Sequence, residues 1–241
     1  MNTKYIFLIG IVLLTQCSGK ENPSANDSTE ESKWIPLFIG SSVESWRDTE
    51  STNFPEYGWV VEDGILTVLG EKEGQPGGHD IITKDRYGNF ELEMEVRLTE
   101  GANSGIKYQV TDDFPGHEGS FLGLEYQLLD NDRHPDAQQG RDGNHKMASL
   151  YDMIPAPEDI SIQPPGNWNK VRIVLDGNKV EHWLNDEKVL EFDRKSLAFR
   201  ELLSLSKYSD LENFGELDEG HILLQGHGND VSFRNIRIRT W

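Results

Sequence analysis

General acid–base chemistry needs side chains that can take and give protons close to a cation or hydrogen-bond donor, and two short runs of this chain hold such residues. Asn103-Ser104-Gly105-Ile106-Lys107-Tyr108-Gln109 reads as a strand with Ile106 and Tyr108 on one face and Gly105, Lys107 and Gln109 on the other. In the strand Leu122–Leu129, Leu122, Leu124, Tyr126 and Leu128 share one face, while Glu125, Gln127 and Leu129 share the opposite one and Asp130 follows at the strand end. If the two strands are neighbours, Lys107 and Glu125 meet on one concave surface. The competing reading is an exposed cross-strand ion pair, worth a few tenths to about 1 kcal/mol.

The loop after the second strand is the densest polar cluster, running Asp130-Asn131-Asp132-Arg133-His134-Pro135-Asp136 and then Asn144-His145-Lys146. His134 and His145 are its candidate bases, because imidazole titrates near neutral pH. The spacing departs from a twelve-residue calcium loop. Glu91, Glu93 and Glu95 form a rival carboxylate set. Retaining glycosidases hold their two acids about 5 Å apart, whereas residues i and i+2 of a strand stand about 6–7 Å apart, so the triplet reads as a solvent face. Asn103, Gln127, Tyr151, Asn185 and Gln225 are neutral hydrogen-bonding groups suited to reading sugar hydroxyls. Trp46, Trp59, Trp168 and Trp183 are expected in the core.

The elements that position these residues are mostly strands. Tyr57–Val61 and Ile65–Leu69 flank the turn Glu62-Asp63-Gly64, and Val171–Leu175 and Val180–Leu184 flank Asp176-Gly177-Asn178. Phe90–Leu98 alternates strictly, apolar on even positions. His221–Gln225 and Val231–Arg239 add two more strands, and Ser196–Lys207 is spaced for a short helix. The pattern predicts an all-β protein, an antiparallel β-sandwich with one short helix.

The chain has 241 residues, 23 Lys and Arg against 42 Asp and Glu, and a formal net charge of −19. An acid excess this large argues against nucleic acid as a partner and suits a neutral polar substrate. Lys4 followed by the apolar run Tyr5–Leu14 and by Leu14-Thr15-Gln16-Cys17 has the layout of an export leader ending in a lipidated cysteine, the chain's single Cys. The expected organisation is a signal peptide over 1–16, a lipidated flexible tether over 17–33 that is poor in apolar residues, and a sandwich domain over 34–241. The expected location is the outer membrane, on its periplasmic side or at the cell surface, held by acyl chains on Cys17.

The order of motifs from Trp34 to Trp241 resembles the 3-keto-disaccharide hydrolase family, which has a concanavalin A-like jelly-roll sandwich. The resemblance rests on Trp59-Val60-Val61-Glu62-Asp63-Gly64, Asn103-Ser104-Gly105-Ile106-Lys107-Tyr108, Glu125-Tyr126-Gln127-Leu128-Leu129-Asp130, His134-Pro135-Asp136-Ala137, Ser149-Leu150-Tyr151-Asp152, His182-Trp183-Leu184-Asn185, and Leu224-Gln225-Gly226-His227-Gly228. It implies cleavage of glycosides whose ring carries a ketone at C3, made by a partner sugar 3-oxidoreductase. The ketone acidifies the C2 hydrogen, so a base removes it, the C1 substituent leaves, and water adds back. On this resemblance Glu125 or His134 is the base, Lys107 stabilises the enolate, and His227 or Asp130 assists the leaving group. No cofactor is required, with a divalent metal at His134 and nearby carboxylates as the alternative electrophile. Two departures stand out: Asp186 where the family often has Gly, and Gly226 where it often has Asp. The rival functions are a non-catalytic glycan-binding lipoprotein and a retaining endoglycanase acting on unoxidised glycans.

Overall fold

Apolar residues at every second position make strands that bury one face, and two sheets of such strands close over a shared core. The computed structural model describes Met1 and residues 33–241; the leader, Cys17 and the tether lie outside the described residues. The larger sheet holds β1 (Ile35–Phe38), β3 (Trp59–Glu62), β4 (Ile65–Val68), β6 (Phe90–Leu98), β9 (Asn169–Asp176), β10 (Lys179–Leu184), β11 (Glu187–Asp193) and β13 (Val231–Thr240). It runs β11-β10-β9-β6-β13-β4-β3, with β1 also on β13. The smaller sheet combines β2 (Trp46–Asp48), β5 (Ile81–Thr83), β7 (Asn103–Thr111), β8 (Leu122–Leu129) and β12 (His221–Leu224) in the order β2-β5-β12-β7-β8. Every pairing is antiparallel in both sheets, so the expected sandwich is observed. The expected helix is α1 (Leu197–Ser204), capped by Ser196, whose hydroxyl accepts from the Phe199 N–H at 3.1 Å.

The core between the sheets takes the even positions of β6, from Phe90 to Leu98, against Ile106, Tyr108, Leu124 and Tyr126 of β7 and β8. A buried polar link through His182 crosses it. The Tyr108 hydroxyl and His182 Nε2 are 2.8 Å apart, and His182 Nδ1 lies 3.0 Å from the Ala148 carbonyl. The accounting is complete if Nδ1 carries the proton and the phenol donates to Nε2, and burial accordingly holds His182 at about 4.

Three expectations are corrected here. Trp46 and Trp59 are core residues, but Trp168 and Trp183 lie half-buried on the outer face of the larger sheet. There Trp168 is packed between Arg97 (4.6 Å) and Arg234 (4.1 Å), and Trp183 lies under Arg172 (3.7 Å). The glutamates of β6 are not a solvent face, because β13 places an arginine opposite each one: Arg239 on Glu91, Arg237 on Glu93 and Arg234 on Glu95. Under that cover Glu91 and Glu93 are buried. Finally, Gln109 does not share a face with Lys107. It adopts φ 53° at an irregularity in the β7–β8 register, its amide donates to the Tyr87 carbonyl, and the bulge turns Val110 onto the Lys107 face.

Candidate active site

The register of β7 on β8 makes Lys107 and Glu125 direct partners, with Gly105 opposite Gln127. Glycine at 105 is needed for space, since a Cβ there would lie 2.5 Å from Glu125 Oε1. Glu125 is buried at 4 % exposure. Burial pushes its carboxyl above the usual range, and Lys107, Lys207 and His227 only partly offset this. Lys107 Nζ lies 3.9 Å from Asp80 Oδ2. Asp80 is itself raised by burial, with Lys107, His227 and His79 acting in the opposite sense.

The loop that follows β8 folds back along its free edge. Gln127 N–H donates to the Ser149 carbonyl, Ala148 N–H to the Gln127 carbonyl, and Tyr151 N–H to the Glu125 carbonyl at 3.0 Å. This extra edge carries Tyr151 to the carboxylate. Tyr151 packs on His145, ring centroids 4.3 Å apart, and its phenol is raised by burial and by Asp136 and Glu125. A third segment arrives just beyond α1. Lys207 reaches solvent, but its ammonium lies 4.3 Å from the Tyr151 ring and 5.0 Å from that of Tyr208. Lost hydration there holds it below the usual lysine range, with Glu125 opposing. Tyr208 is buried, stacks on Phe214 at 4.3 Å, and is raised by that burial and by Glu125.

Beyond the carboxylate, Asn103, His134, Asp136, Tyr151 and His227 line a pocket of about 290 Å³. His134 Nδ1 accepts from the Asp136 N–H at 3.1 Å, which leaves Nε2 as the nitrogen free to donate. At this site, among the described residues, the buried acceptors Gln127 Oε1 and Asp136 Oδ2 have no partner. A ligand rich in hydroxyls is the kind that satisfies them. A larger cavity, about 560 Å³, holds Asp130, Arg133 and Lys146 but none of the histidines and neither Lys107 nor Glu125, so its size is no guide to the chemistry.

Of the residues read from the sequence, Lys107, Glu125, Asn103, Gln127, Tyr151, His134 and His227 come together on this concave side. Gln225 joins them: its N–H donates to the Gly105 carbonyl, and it alternates in phase with Leu223. Asp130 does not join. Its carboxylate accepts from the Gly101 and Asp132 N–H groups and from Arg133, which shapes the loop entry. Asn185 sits in the β10–β11 turn with its amide spent on Lys170, Ser161 and Asn169. His145 is no free base either. Nδ1 lies 2.9 Å from Asp136 Oδ1 and Nε2 lies 3.2 Å from Asp152 Oδ1. Among the described residues no three His, Cys, Asp or Glu side chains are grouped to hold a metal ion.

Both sequence departures have a local explanation. Asp186 adopts φ 67°, which glycine takes without strain, and its carboxylate bonds Lys170 at 2.8 Å. At Gly226 a Cβ would fall 2.1 Å from the Gly78 carbonyl oxygen, so the backbone leaves no room for a side chain. The Gly226 N–H instead donates to Asp80 Oδ1 at 2.9 Å, and Asp80 supplies a carboxylate beside Lys107. Sequence reasoning missed Asp80, Lys207, Tyr208 and the pairing of Asp136 with Asp152. The one local hint was the Gly77-Gly78 pair just before Asp80, where a Cβ on Gly78 would meet the Gly58 carbonyl oxygen at 2.2 Å.

An antiparallel sandwich whose smaller sheet holds a buried carboxylate between cations, under amide, imidazole and phenol groups, presents a polar small-molecule site. The chain belongs to the family described as the 3-keto-alpha-glucoside-1,2-lyase-like domain, which residues 33–239 match. It is 41% identical over 228 residues to the 3-keto-disaccharide hydrolase of Bacteroides thetaiotaomicron, an alignment covering 86% of this chain and 78% of that one. A crystal structure from Parabacteroides distasonis, named provisionally as a glycosyl hydrolase, is 29% identical with a TM-score of 0.73 and covers 86% of this chain and 94% of its own. The Bacillus licheniformis beta-glucanase, 11% identical with a TM-score of 0.50 over 88% of this chain and 99% of its own, shares the fold alone. The protein is a glycoside-cleaving enzyme whose substrate is a carbohydrate.

Proposed function

We propose that the enzyme hydrolyses glycosides carrying a C3 ketone, by removing the C2 proton, eliminating the C1 substituent and adding water. The observation that carries this reading is the buried carboxylate of Glu125, raised by desolvation and paired in register with Lys107. A retaining endoglycanase needs two carboxylates flanking one bond. The other acids of the site are held elsewhere: Asp80 sits against Lys107, where it orients the cation, and Asp136 is engaged with His145. The names of the family and of the Bacteroides relative support the same chemistry.

In the proposed sequence Glu125 takes the C2 proton and Lys107 neutralises the enolate oxygen that forms at C3. The C1–O bond then breaks, and the Nε2–H of His134, or His227 across the pocket, protonates the departing oxygen. Water adds to C1 of the enone, its proton passing to the imidazole that served the leaving group, and Glu125, its own proton by then exchanged with solvent, protonates C2. The net change is hydrolysis, with no oxidant consumed. A partner sugar 3-oxidoreductase supplies the ketone, and acyl chains on Cys17 hold the enzyme at the outer membrane.

Matched disaccharides, oxidised and unoxidised at C3, test the reading. Release of monosaccharide from the oxidised form alone is expected. Cleavage of the unoxidised form at an equal rate, or saturable binding of both with no product, overturns it.

A further inference from the structure

The concave sheet is closed at one end. Along β7 the order from the pocket inward is Asn103, Gly105, Lys107, then the bulge at Gln109, then Val110. Leu223 is the register partner of Lys107 on β12, and Ile82 is the partner of Leu223 on β5. These three apolar residues form a second small core on the concave side, separate from the one between the sheets, and all three are 0 % exposed. The floor of an open cleft keeps surface for its ligand, and this floor keeps none. Phe121 packs over it, and the Arg47 guanidinium lies 5.7 Å from the Phe121 ring centre. The covering wall begins within about 7–10 Å of Lys107, given the strand rise per residue, which is little more than the width of one pyranose. On the other side the pocket of Asn103, His134, Tyr151 and His227 is open.

We infer that the ring whose C2 proton is removed binds as a terminal unit, its far edge against the Phe121–Arg47 wall and its C1 substituent running out past His134 and His227. The enzyme is then exo-acting and directional. It accepts long aglycones and rejects a keto ring that bears a further sugar on its other side. This inference rests on the function proposed above.

The full-length protein is assayed on three 3-keto substrates: a disaccharide with the ketone on its terminal ring, the same compound lengthened by one sugar on the aglycone, and the same compound with one sugar added to the keto ring at O4. The first two are expected to react within about threefold of one another, and the third to be slower by at least about a hundredfold. Phe121→Ala, and independently Arg47→Ala, which keeps the wall's core, should each narrow that gap at least about tenfold. Equal turnover of the first and third substrates by the unmodified enzyme overturns the inference and leaves the proposed function standing. No turnover of the first removes both.

Discussion

Lys107 and Glu125 stand opposite each other across β7 and β8, yet Lys107 makes its close ion contact, 3.9 Å, with Asp80. The arrangement holds a cation beside Glu125 without committing it, which suits a carboxylate that must take up and release a proton. Replacing Glu125 by Gln keeps the shape and removes the base. Turnover of a 3-keto-disaccharide should fall by about 10²–10⁴-fold, the span typical of general bases, with the thermal midpoint of unfolding not lowered. A loss below tenfold would remove Glu125 from the mechanism.

The same residue sets the acid limb of the pH profile. Because burial raises Glu125, the active carboxylate form is lost as pH falls through a value above that of an ordinary glutamate. Lys207→Met removes a cation that stabilises the charged form, so the limb should move to higher pH. A limb that stays in place would show that Lys207 does not act on Glu125.

The Asp136–His145–Asp152 bridge is a positioning device. Asp152 holds the imidazole through Oδ1 and the Lys207 N–H through Oδ2 at 2.7 Å, so one side chain ties the loop after β8 to the segment after α1. His145→Ala should lower kcat/KM by about tenfold, mostly through KM, because it loosens Tyr151 and leaves two carboxylates unbridged. His145→Asn, which bonds one carboxylate, should recover part of the loss. A purely structural role would lower the melting temperature and leave KM unmoved.

Much of this architecture was legible because alternation is a strong signal. Phe90–Leu98 and Leu122–Leu129 bury the faces their patterns predict, and the facing of Lys107 and Glu125 follows once β7 and β8 are neighbours. What stayed hidden depends on partners distant in sequence. Glu91 and Glu93 are buried only because β13 lies alongside with its arginines, and Trp168 left the core for Arg234 of that strand and Arg97 of β6. The bulge at Gln109 is carried by a non-glycine residue at positive φ, which no local pattern announces. Asp80 and Lys207 reach the site from segments far from either strand.

His182 links the sheets and gives stability a definite pH dependence. Its folded value of about 4 lies below the ordinary 6.5, so the unfolded chain binds more protons between these values. The stabilisation is complete above the unfolded value and is lost as pH falls toward 4; by linkage it amounts to something on the order of 3 kcal/mol. Denaturant unfolding of the wild type and His182→Gln across pH 4–7 should give curves that converge at the acid end. Parallel curves would contradict the assignment.

Gly226 should tolerate no side chain. Gly226→Asp, which restores the family's more usual residue, drives its Cβ into the Gly78 carbonyl and should destabilise the protein by about 1–3 kcal/mol while lowering activity. Unchanged stability would mean that the Gly78 turn yields readily and that Asp80 is not the sole carboxylate the site can hold beside Lys107.

Proton removal from C2 is the step on which the mechanism depends, and an isotope at that carbon reports it. A 3-keto-disaccharide deuterated at C2 of the oxidised ring, compared with the protiated compound in single-turnover reactions, should react several-fold more slowly, and early product should carry solvent hydrogen at C2. Equal rates, with the deuterium retained in the released sugar, would contradict the account.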